Sequence, residues 1–309
     1  MLPFVYARPM RIGASIRSFH PPASARGIAR QMLERADAAG RAGLDSLFLG
    51  DHHATAMPYL QNVPMLARML ASWPERPAGA LFLLPLWEPV LLAEQIGTLA
   101  ALMPQRFIAQ CCVGADPAQF RAVGADPRTR GREFERRFAL LRHLLAGEQL
   151  SREEGGVPVG ISPVPEAPVE YWIGADVPVA IDRAARLADA WLVGPNVAVD
   201  EAVRLLAYYR ERCDAYERKP AATPIRRNIH VADSEAELAR RVRPAMQDGM
   251  GVEPDKVIVG TVPQVAEAFR DLAAAGFSDV IVRHFLDDQA AVLDSYARLA
   301  EVRALVGDA

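Results

Sequence analysis

Two adjacent histidines behind an aspartate are the residues of this sequence whose types best suit chemistry. The segment Gly50-Asp51-His52-His53 directly follows the short apolar run from Ser46 to Leu49. An imidazole with a pKa near about 6.5 can donate or accept a proton during turnover. We predict that His52 is catalytic and that His53 lies in the same pocket, the alternative for either being a bond to neighbouring backbone. Asp51 is interpreted as a strand-end cap or as the partner that orients an imidazole.

Paired histidines also suggest a metal ion, because imidazole binds zinc, iron and copper. Adjacent residues at a strand end point in different directions, so one Asp-His-His triplet cannot supply a complete ligand set. No Asp-x-Asp or His-x-His pattern lies near another strand end. The other histidines are isolated from one another: His20, His143, His230 and His284. We therefore predict no metal site.

The elements that position these residues follow from the alternation of short apolar runs with segments of helical period, which is typical of parallel strands joined by crossover helices. Glycines mark helix ends, among them Gly43, Gly147 and Gly276. Eight strands are predicted: Arg11 to Ile16, Ser46 to Leu49, Ala80 to Leu84, Phe107 to Val113, Val169 to Ile173, Ala190 to Val193, Ile225 to Val231 and Asp279 to Val282.

Eight such units predict an α/β fold, a (β/α)8 TIM barrel with insertion loops, as a single domain over residues 1–309. The loops are Ser151 to Ala167 and Pro244 to Asp255. The alternative is an open doubly wound sheet, whose phosphate loop needs glycines close behind the first strand. Arg17 to Arg26 contains none, which favours the barrel and places its active site at the carboxyl ends of the strands.

Small residues end two of the predicted strands. Gly114 follows the fourth strand, and Gly174 with Ala175 follows the fifth. Such residues let a planar ligand or a phosphate approach the backbone amides, although a glycine there also serves as an ordinary turn residue.

Composition excludes several classes of partner. The 35 basic and 38 acidic side chains are interspersed and give a net charge of −3, which argues against nucleic acid and anionic membranes as partners. No apolar run reaches the roughly 18 residues that span a bilayer, and the first ten residues lack a signal-peptide core. The 3 cysteines predict no disulfide framework, so we expect a cytoplasmic protein.

Taken in order along the chain, several segments resemble the bacterial luciferase-like flavin monooxygenases and the related deazaflavin F420-dependent oxidoreductases. The resemblance extends from Arg11 to Phe285. The segments that carry it are Ala38 to His53, Leu84 to Gln95, Arg106-Phe107 with Val113-Gly114, Phe120 to Gly124 with Arg130-Gly131, Tyr171 to Gly174 with Arg183 to Trp191, and Val259 to Val262 with Gly276.

The resemblance implies a barrel that holds a flavin-type ring without a metal, with His52 facing the reactive ring. It also implies a non-prolyl cis peptide between Ala80 and Leu81, a cofactor that passes Gly114, and a phosphate near Gly174, Ala175 and Asp176. An aspartate repels a phosphate unless it is turned away or paired with a cation such as Arg183. The substrate is expected to contact Phe19, His53, Trp87 and His284.

The function that the resemblance implies is oxidation of a small organic substrate with reduced FMN and O2, the reduced flavin coming from a separate reductase. An alternative is hydride transfer with F420. A second alternative, from a different class, is a non-catalytic flavin-binding or partner subunit. The resemblance also implies a homodimer.

Overall fold

Strands and helices alternate along the chain, as the sequence predicts. The computed structural model describes residues 10–18, 24–150, 160–247 and 253–307. The strands of these residues are β1 Arg11–Ile16, β2 Ser46–Leu49, β3 Ala78–Leu83, β4 Phe107–Cys112, β5 Glu170–Gly174, β6 Ala190–Leu192, β7 Pro224–Ala232, β8 Val257–Thr261 and β9 Asp279–His284.

The helices of the described residues cover and connect these strands. They are α1 Ala25–Arg41, α2 Asn62–Leu70, α3 Pro89–Ala101, α4 Pro117–Ala122, α5 Arg130–Leu145, α6 Pro178–Leu187, α7 Val199–Ala215, α8 Glu235–Glu237, α9 Arg243–Gln247, α10 Val262–Ala275 and α11 Gln289–Gly307. Gly43, Gly147 and Gly276 have φ values of 79°, 80° and 102°, the left-handed conformation that ends a helix, which confirms the predicted stops.

The chain forms two compact units. One, the β2–β5 unit, contains β2 to β5 with α2 to α5, and the other, the β6–β9 unit, contains β1 and β6 to β9 with α6 to α11. The prediction of a single domain over residues 1–309 stays a prediction.

The strands of the β2–β5 unit pair in parallel in chain order. Leu49 pairs with Ala80, Leu81 with Gln110, and Ala109 with Tyr171. All six residues of β3 are buried, as expected of an apolar strand covered on both faces. Because the pairing is parallel, the loops after β2, β3 and β4 leave the same edge of the sheet and bring their side chains together.

In the β6–β9 unit, β9 lies between β1 and β7, and β7 also pairs with β8. Isolated parallel bridges join Ala190 to Ala222 and Val193 to Ile225. The strand β8 was not among the eight predicted. Its five residues alternate between half-buried and buried, and its apolar run is only three residues long before the strand passes directly into α10.

Two predicted insertion loops fall partly outside the described residues. Residues 151–159 and 248–252 are not described, whereas α9 reaches Gln247, inside the segment expected to be a loop. No helix in the described ranges combines the length and apolarity needed to cross a membrane.

Candidate active site

The carboxylate of Asp51 ties the end of β2 to the end of β3. Asp51 is 7% exposed, and its Oδ2 accepts hydrogen bonds from the backbone N of Leu83 at 2.8 Å and from Nε1 of Trp87 at 2.7 Å. A 3-10 turn over Leu84–Leu86 brings the indole back toward β2. A buried carboxylate is stable only with such partners, so the contacts fix both the turn and the Trp87 ring.

The other oxygen of Asp51 faces His53. Its Oδ1 lies 3.1 Å from Nε2 of His53, whose side chain is 20% exposed. The carboxylate of Asp51 raises the pKa of His53 above its ordinary 6.5, because its attraction for the protonated ring outweighs the partial burial of the ring. The His53 and Trp87 rings meet edge to face with centroids 5.5 Å apart. Of the two histidines, His53 is the one whose imidazole faces the Asp51 carboxylate.

His52 has a different environment. Its two ring nitrogens lie 3.3 and 3.4 Å from Nε2 of Gln119, and its ring is 5.7 Å from that of Tyr59. The Gln119 amide also accepts the backbone N–H of His53 at 2.9 Å through Oε1. Because an amide nitrogen only donates, the ring nitrogen that it meets acts as an acceptor.

Gln119 was missed by the sequence analysis. It lies on α4, whose N-cap is Asp116 with a 2.8 Å bond from the backbone N of Ala118 to its Oδ1. The sequence contained a signal for this helix, because Asp116-Pro117, shortly after Gly114, predicts a helix that begins at this edge of the sheet. That helix delivers a buried amide, 3% exposed, to both histidines.

The predicted cofactor positions on β3 and β4 are regular strand and turn residues. Among the described residues the one cis peptide joins Ser162 and Pro163, so the cis peptide predicted between Ala80 and Leu81 is wrong. Both residues keep the parallel register with β4, and the carbonyl of Leu81 accepts a 2.7 Å bond from Nδ2 of the buried Asn62. A trans bond avoids the roughly 3–4 kcal/mol of the cis form and leaves the ladder continuous. Gly114 has a φ of 81°, a conformation that favours glycine.

A second group of predicted residues follows β5. The backbone N of Ala175 donates to the carbonyl of Leu192 at 3.4 Å, and its carbonyl accepts from Nε1 of Trp191 at 2.7 Å. The carboxylate of Asp176 is turned onto the backbone N of Gly194 at 3.1 Å. A Cβ at Gly194 would lie 2.6 Å from this carboxylate, so glycine is required for the contact.

Two arginines of β7 act on Asp176. Burial raises the pKa of Asp176, and the charges of Arg227 and Arg226 oppose that rise. Arg227 is fully buried, its Nη1 donates to the carbonyl of Gly194 at 3.2 Å, and burial lowers its pKa to about 10. Two successive arginines in a fully buried strand were a readable signal of this role, which the sequence analysis did not use.

Comparison with known proteins identifies the family. The family model of the luciferase-like monooxygenases matches residues 10–279. The chain belongs to the luciferase-like monooxygenase family. Members of this family are enzymes.

Curated relatives of this luciferase-like protein cover different shares of it. An uncharacterized protein of Mycobacterium tuberculosis is 31% identical over 127 residues, which are 40% of this chain and 43% of the relative. The chain thus spans less than half the length of that relative. The F420-dependent glucose-6-phosphate dehydrogenase of Intrasporangium calvum is 24% identical over 87% of this chain and 92% of its own.

Solved structures share the fold. The monooxygenase RslO1 from Streptomyces bottropensis has a TM-score of 0.80 and 18% identity over 94% of this chain and 98% of its own. An F420-dependent secondary alcohol dehydrogenase in complex with an F420-acetone adduct has a TM-score of 0.80 and 13% identity over 97% and 99%. The oxygenating constituent of 3,6-diketocamphane monooxygenase from Pseudomonas putida, in complex with FMN, has a TM-score of 0.75 and 18% identity over 95% and 98%. The α/β barrel class predicted from the sequence is thereby confirmed.

The residues after β5 of this luciferase-like chain fit a phosphate. The first turn of α6 contains no acidic residue, and a helix N-terminus favours an anion. Asp176 is bonded to Gly194 and lies within the electrostatic reach of Arg226 and Arg227, so the repulsion expected of its carboxylate is offset. No group of three or more His, Cys, Asp or Glu that suits a metal ion occurs in the part of the chain that the structure describes.

The remaining predicted substrate residues have separate outcomes. Phe19 lies outside the described residues. The rings of Trp87 and His53 meet at the end of β2, and their contact with a substrate stays a prediction. His284 is 2% exposed, its Nε2 lies 2.8 Å from Oγ of Ser295, and its ring packs 4.1 Å from that of Tyr296. This ring packs against α11, and its contact with a substrate stays a prediction.

Proposed function

We propose that this protein is a flavin-dependent monooxygenase that uses reduced FMN and O2 on a small organic substrate. The observation that carries the proposal is the group of side chains at the end of β2, where His53 and Trp87 contact the buried Asp51 and His52 meets Gln119. Family membership and the FMN complex of the diketocamphane enzyme support it. When bound, reduced FMN would supply the electrons that activate O2.

The chain's own residues would position, shield and move protons. His52 exchanges a proton at a ring nitrogen while Gln119 holds its orientation through the 3.3 Å contact. Ala80, Leu81 and Gly114 would line the cofactor ring, and Gly174, Ala175 and Asp176 would adjoin its phosphate. The substrate would contact His53 and Trp87, together with Phe19 and His284 from the expectation above. The apolar strand ends and the Trp87 indole exclude water from this space.

Hydride transfer with F420 is the second candidate. Two observations favour it, namely the F420-dependent dehydrogenase that aligns with 87% of this chain and the alcohol dehydrogenase with a TM-score of 0.80. FMN and F420 require similar contacts to their ring and phosphate, so the residues of this site suit either cofactor.

Binding separates these candidates. The full-length chain is titrated anaerobically with reduced FMN, with oxidised FMN and with F420, following intrinsic fluorescence. We expect reduced FMN to bind more tightly than about 100 μM, which corresponds to about −5.5 kcal/mol. Binding of F420 alone would replace the monooxygenase by the second candidate, and binding of neither would remove both.

Partners and location are further parts of the proposal. We propose a cytoplasmic homodimer that receives reduced flavin from a separate reductase. The absence of disulfides among the three cysteines supports a reducing compartment. Sedimentation velocity of the purified chain tests the dimer, and a single species at 33.7 kDa would contradict it.

A further inference from the structure

Asp51 uses its two oxygens for different purposes. Oδ2 is filled by two fixed donors, the backbone N of Leu83 and Nε1 of Trp87, so the carboxylate cannot rotate without losing both bonds. Oδ1 is thereby left facing Nε2 of His53 at 3.1 Å. A carboxylate fixed at this distance favours the protonated form of the imidazole.

The opposite side of the His53 ring is available to a ligand. Nδ1 is bonded to none of the residues that the structure describes, and the side chain is 20% exposed. The backbone N of His53 is held by Gln119 at 2.9 Å, and the ring lies against the Trp87 indole. The imidazole therefore contacts Asp51 and Trp87 and leaves Nδ1 without a bond to the described residues.

We propose that His53 binds an oxygen of the substrate through Nδ1–H as an imidazolium, and that Asp51 is the positioning residue that keeps the ring charged and aligned. This inference rests on the proposed function and adds a substrate class to it, since the partner of a cationic N–H donor is a carbonyl or carboxylate oxygen. The planar indole of Trp87 beside the donor favours a flat carbon skeleton next to that oxygen.

His52 lacks the features that make this assignment. Its ring nitrogens face the neutral Gln119 amide, and no carboxylate of the described residues bonds to it. Asp51 is the one charged group that acts on the pKa of His53 among the described residues, and Arg137 of α5, which donates to the carbonyl of Trp87, lies 3.6 Å from Glu133. With Arg137 paired, Asp51 dominates the electrostatics of the His53 ring, and it raises the His53 pKa.

Histidine side-chain NMR tests the positioning role without a cofactor. The full chain is titrated from pH 5 to pH 9, and His53 is assigned from the signal that is lost in His53→Gln. We expect the wild-type signal to titrate above 6.5 and Asp51→Asn to lower its midpoint. Glu148→Gln is the matched control, because it removes the carboxylate 2.6 Å from the exposed His143 and should leave His53 unchanged. An unchanged midpoint in Asp51→Asn would overturn the positioning role.

Binding of benzoate, a flat carboxylate, tests the ligand class. We expect it to shift the His53 signal at pH 5.5, to bind at least about fivefold more weakly at pH 9, and to bind similarly weakly to His53→Gln at pH 5.5. Equal binding at both pH values, equal binding by the variant, or no binding at all would overturn the inference. Reduced FMN is titrated into the wild type and into His53→Gln alongside. A wild type that does not bind reduced FMN would count against the proposed function. A variant that binds reduced FMN but not benzoate would concern only His53.

Discussion

Two of the three imidazole–carboxylate pairs among the described residues have nearly equal lengths but different surroundings. At the end of β2, His53 lies 3.1 Å from Asp51, and in the β6–β9 unit His230 lies 3.2 Å from Glu237. The His53 side chain is 20% exposed and its pKa is raised, whereas His230 is fully buried and its pKa is lowered. The carboxylate raises the pKa in both pairs, but at His230 desolvation of the ring is the largest effect and reverses the direction, with the charges of Arg298 and Arg241 adding to it.

The surroundings of Glu237 explain its structural role. Its Oε2 accepts the backbone N of Asp233 at 2.8 Å, and Nη1 of Arg298 lies 3.5 Å away. Glu237 thus ties the end of β7 to α11 and to the π-helical segment Leu238–Val242 that follows. Asp51 also joins two elements, but the histidine beside it, His53, is partly exposed to solvent, whereas His230 is not. This exposure is what distinguishes a candidate binding residue from a purely structural one.

Removing the buried carboxylate should have the largest effect. Glu237→Ala leaves His230, the Asp233 amide and Arg298 without their partner, and we expect a loss of about 3–5 kcal/mol in the free energy of unfolding. Urea unfolding followed by far-UV circular dichroism measures it. Glu148→Ala, at the exposed His143 pair, is the control and should stay within about 0.5 kcal/mol. Equal losses in the two variants would mean that burial does not distinguish these pairs.

Truncating Asp51 should come next. Asp51→Ala removes the acceptor of Leu83 N and Trp87 Nε1, and we expect a loss of about 2–4 kcal/mol. Asp51→Asn retains an acceptor oxygen and should lose only about 1 kcal/mol. The same urea experiment checks both, and an asparagine variant as unstable as the alanine variant would speak against the two hydrogen bonds.

The pH dependence of stability should differ in sign between the two pairs. His53, with its raised pKa, contributes stability that is present below about 6.5 and is lost as pH rises through its folded-state pKa. His230, with its lowered pKa, loses stability as pH falls below about 6.5, because the unfolded chain takes up the proton first. The stability advantage of wild type over His53→Gln should grow from pH 8.5 to pH 5.5, and that over His230→Gln should shrink. Parallel trends in both variants would contradict the comparison.

His52 should show the smallest change in stability. His52→Ala loses one contact to Gln119, so we expect less than about 1 kcal/mol in unfolding and a fall in turnover of at least about 100-fold on a confirmed substrate. Steady-state kinetics beside the urea curve measures both quantities. Unchanged turnover would remove the catalytic role of His52.

The sequence predicted the alternation of elements well, because apolar runs and glycine stops are local signals. It did not find β8, whose alternating burial depends on β7 beside it. The sequence indicated that Asp51 could pair with an imidazole but not with which histidine. That choice depends on the turn that brings Trp87 and Leu83 to the carboxylate. Gln119 and Arg227 act through partners that are distant in the chain, and the cis peptide implied for Ala80 is not found.

The central claim is that the cofactor ring lies at the ends of β2 and β3. Hydrogen–deuterium exchange, measured with and without whichever cofactor the protein binds, tests this claim most directly. The account predicts slower exchange in peptides covering residues 50–54 and 83–88 when reduced FMN or F420 is present. Unchanged exchange in both segments at a saturating cofactor concentration would contradict it.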